Sequence, residues 1–163
     1  MLCGGKILEA KPISHRKKKE VAEIFGGEFK HSLDAKNRIF IPAKMRDDLG
    51  ATFVVAQDIR AKCIKLYSTE GWEAYLAPIY QQNRNLQERV LRYLNSTMEK
   101  VTPDSQGRIT LPKALVAFAG IEDRAIIVGC GKYAEIWAED IYMEEKQNVD
   151  IAKMLAELES FGL

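Results

Sequence analysis

Asp34-Ala35-Lys36-Asn37-Arg38-Ile39-Phe40-Ile41-Pro42 has a counterpart in Asp104-Ser105-Gln106-Gly107-Arg108-Ile109-Thr110-Leu111-Pro112, at an offset of 104 − 34 = 70 residues. Asp, Arg, Ile, an aliphatic residue and Pro fall in matching places, so the chain carries an internal duplication. Each copy reads as one unit. The aspartate opens a turn because its carboxylate can accept from backbone N–H groups two residues on, and Asn37 or Gly107 supplies the residue that tolerates φ > 0. A strand then starts at the arginine. Alternation sends Ile39 and Ile41 to the core face and Arg38 and Phe40 to the other; in the second copy Ile109 and Leu111 point inward, Arg108 and Thr110 outward. Pro42 and Pro112 end the strands and suit the first position of a helix. Short helical patterns follow, Met45 and Leu49 before Gly50, Leu115 and Ala119 before Gly120. The unit is turn, strand, short helix, glycine stop.

Working outward, Glu28 to Leu33 reads as the strand entering the first turn. Thr52 to Ala56 and Cys63 to Tyr67 read as later strands joined around Gln57 to Lys62. Ser68 caps a helix beginning near Glu70, on which Trp72, Tyr75, Leu76 and Ile79 recur at three- and four-residue spacing and which Pro78 kinks or breaks. A second helix, Asn85 to Leu94, carries Leu86, Val90, Leu91 and Leu94 on one side. Glu99 to Val101 enters the second turn; Ala125 to Val128 and Ala134 to Trp137 mirror the later strands around a tight hairpin at Gly129 to Lys132. A helix follows from about Glu139. The last stretch, Val149 to Phe161, places Ile151, Leu155 and Leu158 on one helical face, expected to dock on its own body or on a neighbouring subunit.

Composition places the chain among soluble globular proteins, with 47% hydrophobic and 29% charged residues in a length of 163. No apolar run approaches the roughly 20 residues that span a bilayer, so a cytosolic protein without membrane contact is expected. Cys3, Cys63 and Cys130 are widely spaced, which gives neither a disulfide framework nor a zinc pattern. The net charge of +1 is unevenly spread: residues 1–25 carry 6 − 3 = +3 and residues 144–163 carry 2 − 5 = −3. Any basic face is therefore local, and an oligomer would have to repeat it into a strong field. Residues 1–24 match neither copy and read as a disordered extension, with a basic arm at Arg16 to Lys19 as the alternative.

The paired Asp-x-x-x-Arg turns resemble the MraZ family, bacterial regulators built from two SpoVT/AbrB-type domains. Supporting residues are Gly27-Glu28-Phe29 before the first turn, Leu66-Tyr67 with Glu70-Gly71-Trp72, and Val128-Gly129 with Glu135-Ile136-Trp137. Asn37 departs from the glycine more usual there. Because such proteins begin just before the Gly-Glu-aromatic step, residues 1–23 are expected to reflect a start placed too far upstream. The resemblance implies an α+β, β-rich fold of two tandem swapped-hairpin domains related by pseudo-twofold symmetry. The expected boundaries are 28–70 and 99–142, with a helical linker at 71–98 and a C-terminal helix at 143–163. It further implies a ring-like homo-oligomer that binds double-stranded DNA at promoter repeats of a division and cell-wall gene cluster, in the cytoplasm and on the nucleoid. No cofactor, metal or small-molecule substrate is expected.

For the site, Arg38 and Arg108 are the residues expected to meet DNA, since a planar guanidinium suits guanine edges and phosphates. Asp34, Asn37, Asp104 and Gly107 brace the turns, while Lys36, Lys44 and Lys113, with Arg46, are candidates for phosphate contacts. The competing structural reading is that each arginine pairs with the aspartate of its own turn, although exposed pairs add little stability. Paired aspartates in a duplicated chain also match the outline of an aspartic protease, but polar turns beside basic residues favour ionisation and oppose proton sharing. An antitoxin-like or other interaction module without specific DNA binding is the third reading, served by the acidic C-terminal segment.

Overall fold

Ile39 and Ile109, the inward residues of the duplicated motif, lie directly opposite each other in an antiparallel ribbon and are 0% and 1% exposed. A computed structural model describes residues 24–163 of the chain, so the N-terminal expectations for residues 1–23 fall outside the described residues. The first repeat runs β1 (Glu28–Ser32), β2 (Arg38–Phe40), α1 (Ala43–Leu49), β3 (Phe53–Gln57), β4 (Ile64–Ser68) and α2 (Thr69–Leu76). A 3-10 turn (Ile79–Gln81) and α3 (Arg84–Thr97) lead to the second repeat. That repeat comprises β5 (Glu99–Val101), β6 (Arg108–Thr110), α4 (Lys113–Ala119), β7 (Arg124–Gly129), β8 (Ala134–Ala138) and α5 (Glu139–Gln147), and α6 (Ile151–Ser160) follows. The fold is α+β and β-rich, with the two repeats in tandem.

Neither repeat keeps its strands to itself. The main antiparallel sheet has the order β1-β7-β8-β4-β3-β5, so β1 of the first repeat pairs with β7 of the second while β5 pairs with β3. β2 and β6 form a separate two-stranded ribbon. The registers are symmetric about one axis. Arg38 faces Thr110 and Phe40 faces Arg108 around the Ile39–Ile109 pair, and Ile64 faces Ile136 and Leu66 faces Ala134 around Lys65–Glu135. Bonds from the Ile41 N–H to the Gly107 carbonyl (3.0 Å) and from the Leu111 N–H to the Asn37 carbonyl (2.8 Å) extend the same symmetry.

One core fills the space between the sheet and the ribbon. Ile39, Ile41, Met45 and Leu49 from the first unit join Ile109, Leu111, Leu115 and Ala119 from the second, over Phe53, Val55, Ile127 and Ile136 of the sheet. The opposite face of β3 and β4 is covered by Trp72, Leu76 and Leu94. The prolines sit one position earlier than the motif implies: Pro42 and Pro112 are N-caps with ψ of 137° and 135°, and their carbonyls take the first helical bonds, from Arg46 (3.0 Å) and Val116 (3.1 Å). Ser68 caps α2 by accepting from the Gly71 N–H at 2.9 Å, and α2 stops before Pro78. α3 runs on to Thr97, past the Leu94 limit read from its apolar side, with the Ser96 and Thr97 hydroxyls bonded back to the carbonyls of Tyr93 and Leu94. The segment 143–163 holds the end of α5 and the separate helix α6.

Because Ile39 and Ile109 meet at the axis, truncating either should injure both halves. Ile109→Ala is expected to lower the unfolding free energy by about 2–5 kcal/mol, with Ile39→Ala matching it. Urea denaturation followed by tryptophan fluorescence checks this in a single cooperative transition.

Candidate nucleic-acid interface

Each turn is organised by one carboxylate. Asp34 Oδ1 accepts from the backbone N–H groups of Lys36 (2.9 Å) and Arg38 (2.8 Å), and Oδ2 accepts from Arg38 Nε at 2.6 Å. Asp104 repeats the pattern with Gln106 (2.9 Å), Arg108 N–H (2.9 Å) and Arg108 Nε (2.9 Å). The backbone closes each turn through the Asn37 N–H to the Asp34 carbonyl (3.0 Å) and the Gly107 N–H to the Asp104 carbonyl (2.9 Å). Asn37, at φ 57°, is the single non-glycine residue with positive φ among the described residues; Gly107 stands at 79°. Asparagine is the side chain that tolerates this region best. The backbone N–H of Arg38 above all, aided by its guanidinium and by the Lys36 N–H, holds the Asp34 carboxyl below its ordinary value of 3.8. Arg108 and Gln106 do the same to Asp104. Both aspartates are thus committed to ionised, separate roles, which opposes the proton-sharing of a protease pair.

The arginines are paired yet not buried. Their side chains keep 32% and 29% of their surface exposed, on the face of the β2–β6 ribbon turned away from the core. In the ribbon register Arg38 and Arg108 are diagonal neighbours, roughly 7–8 Å apart by strand geometry. The aspartate bond fixes the direction of each long side chain, which removes rotamer freedom before any ligand arrives.

Lys36 is exposed in the first turn, where the second has Gln106. Lys44 and Lys113 are exposed on the first turns of α1 and α4, but they are not symmetry mates: position 114 is Ala and position 43 is Ala. Arg46 occupies a place its sequence position does not foretell. Its Nε donates to the Ile41 carbonyl at 2.9 Å, and its guanidinium lies 5.5 Å from the Phe40 ring centroid. It also rests against the other repeat's turn, where a Cβ on Gly107 would fall 2.7 Å from Arg46 Cζ. The equivalent of Arg46 in the second repeat is Val116, so the first turn lacks this guanidinium and is the one that carries asparagine. The signal lay in that double difference, Asn37 with Val116 against Gly107 with Arg46.

His31 packs on Phe40 with ring centroids 5.4 Å apart, and burial keeps its imidazole below 6.5 and so neutral at pH 7. Among the described residues one group has metal-ligand proximity, Asp58, Cys63 and Glu135, on the sheet rather than the ribbon. Lys65 Nζ lies 3.4 Å from Asp58 Oδ1 and offsets one of the two carboxylates, while burial pushes the Cys63 thiol far up.

The family described as "MraZ protein, putative antitoxin-like" matches residues 24–93 and 96–157, one turn in each segment. The chain belongs to the MraZ family. A relative from Dictyoglomus thermophilum is 32% identical over 139 residues, covering 84% of this chain and 94% of its own. One from Clostridium acetobutylicum is 31% identical over 144 residues (86% and 100%), and one from Alkaliphilus oremlandii 36% over 145 (83% and 99%). Each carries the name transcriptional regulator MraZ.

The lowered carboxyl values give the turns a pH dependence. A carboxylate whose folded value is depressed stabilises the fold above its unfolded value, near pH 4, and that contribution disappears as pH falls through the folded value. Asp34→Asn combined with Asp104→Asn should therefore lower the melting temperature at pH 7 and flatten its further fall in acid below about pH 4. Thermal melts across that range read the outcome.

Proposed function

We propose that this MraZ-like transcriptional regulator binds double-stranded DNA sequence-specifically through the outward face of the β2–β6 ribbon and its two turns. Arg38 and Arg108 read bases, while Lys36, Lys44, Lys113 and Arg46 contact phosphates. Asp34 and Asp104 set the arginines in place, and Asn37 and Gly107 hold the left-handed step that each turn requires. The observation that carries this reading is the pair of braced, part-exposed arginines that one antiparallel ribbon brings onto a single face. A structural role alone does not account for two such pairs, since exposed ion pairs contribute about 0–1 kcal/mol. The targets that the family resemblance implies are promoter repeats of a division and cell-wall gene cluster, and the location that goes with such targets is the cytoplasm, on the nucleoid. No helix among the described residues is long and apolar enough to cross a membrane.

Affinity at physiological salt requires several copies. A subunit of net charge +1 with a few phosphate contacts binds weakly, because log affinity falls with log salt by about 0.9 per phosphate neutralised. A ring-like homo-oligomer repeats the face and makes later contacts intramolecular. Light scattering at micromolar concentration should give more than two subunits; a monomer would contradict the reading.

Arg38→Ala and Arg108→Ala should each cost about 1–3 kcal/mol of promoter binding and flatten discrimination against altered sites. A contact to phosphate alone would instead weaken all sequences equally and lower the salt slope by about 1 per site. Mobility shift over a salt series, with the double mutant and particle mass checked in parallel, separates these outcomes. Unchanged affinity and salt slope in an intact double-mutant oligomer would remove the turns from the interface. The acidic, exposed helix α6 is the feature that would serve the alternative, an antitoxin-like or other interaction module, and such a module would show no preference for promoter DNA.

A further inference from the structure

We propose that α6 of one subunit docks into the groove between the β3–β4 loop and α4 of a second copy of this chain, joining subunits head to tail. The inference rests on the oligomer reading above and names the surfaces that build it. No residue of α6 is buried, although Ile151, Met154, Leu155 and Leu158 are all apolar and between 38% and 61% exposed. At about 100° per residue these four and Phe161 share one side of the helix, with Glu157 and Glu159 on its two edges. A ten-residue helix of this kind is marginal in water by itself, and a contiguous apolar stripe on a soluble protein marks a contact.

The groove offers the complement. It is a cavity of about 440 Å³ lined by the apolar side chains of Ile59, Phe118, Trp137 and Ile141, together with Arg60 and Lys62 of the β3–β4 loop. Arg60 and Lys62 are exposed and make no ion pair among the described residues; neither do Glu157 and Glu159. Of the acids that line the cavity, Asp58 is held by Lys65, which leaves Glu145 as the one unpaired. An apolar stripe edged by two glutamates thus fits a groove whose apolar side chains are flanked by two unpaired cations against one unpaired acid, in the helix-in-groove mode. One chain presents both halves of this contact and makes it with neither, because α6 stands clear with its stripe exposed. A second copy supplies the same helix. Helix and groove are different surfaces, so the contact is heterologous and propagates from subunit to subunit until a ring closes.

Sedimentation velocity on the full chain tests this. Leu155→Asp with Leu158→Asp, and separately Arg60→Glu with Lys62→Glu, should each reduce the native particle to a smaller species. All four positions are exposed, so each variant should still unfold in one cooperative transition, with any loss of far-UV circular dichroism no larger than an undocked α6 accounts for. Adding Glu157→Lys and Glu159→Lys to the Arg60→Glu, Lys62→Glu chain should restore the native mass. A native oligomer that keeps its mass in both variants would overturn the contact while leaving oligomerisation standing. Loss of mass in the helix variant alone, or no recovery in the charge swap, would assign α6 elsewhere and equally overturn it. A native chain that sediments as a monomer would remove both the contact and the oligomer reading, with α6 then left to fold back in cis or to meet a different protein.

Discussion

The structure depends on the contact of Ile39 with Ile109 at the pseudo-twofold axis. Each is the middle residue of a three-residue strand, far too short to persist alone. Paired, the two strands make a ribbon whose inner face closes the core and whose outer face carries the arginines. The exchange of β1 and β5 between repeats reinforces this dependence, since the strand leading into each turn is held by the other half's sheet. The geometry of one turn is therefore a property of both repeats. Duplication here yields one body with two related turns, in place of two beads on a linker.

The turns themselves show how a weak interaction becomes useful through position. An arginine paired with an aspartate at the surface adds little to folding. The same carboxylate, however, also collects two backbone N–H groups, so it fixes the loop and the side-chain direction together. Pre-setting a guanidinium in this way reduces the ordering cost of any planar contact it later makes. The two turns are related but unequal. Arg46 crosses the axis to lie over Gly107, and no guanidinium stands at the equivalent position 116. The ribbon face of the chain is consequently asymmetric between its two turns.

Much of this was legible from period-two alternation and turn chemistry, both of which act within a few residues. Ile39, Ile41, Ile109 and Leu111 are buried where alternation puts them, and Ser68 caps α2 as its hydroxyl implies. What the residues alone did not reveal involves partners distant in sequence. Nothing local in Glu28–Ser32 distinguishes pairing with β3 from pairing with β7. The place of Arg46 follows from the axis, not from its helix, on which it reads as one more exposed cation. α3 runs past its expected end to Thr97, where no apolar position marks the helix and the Ser96 and Thr97 hydroxyls bond the carbonyls of Tyr93 and Leu94. Lys44 and Lys113 are already unmatched at the offset of 70, and a one-residue shift on a helix turns a side chain by about 100°.

We propose that both turns of the chain face the DNA. A photo-crosslinking side chain placed at position 36 or at position 106, in otherwise native full-length protein with promoter DNA, tests it most directly. Both probes should crosslink to the duplex, with competition by promoter DNA and little by random DNA, while a probe at position 60 stays silent. Silence at both turns, with crosslinking from the position 60 loop instead, would contradict the account.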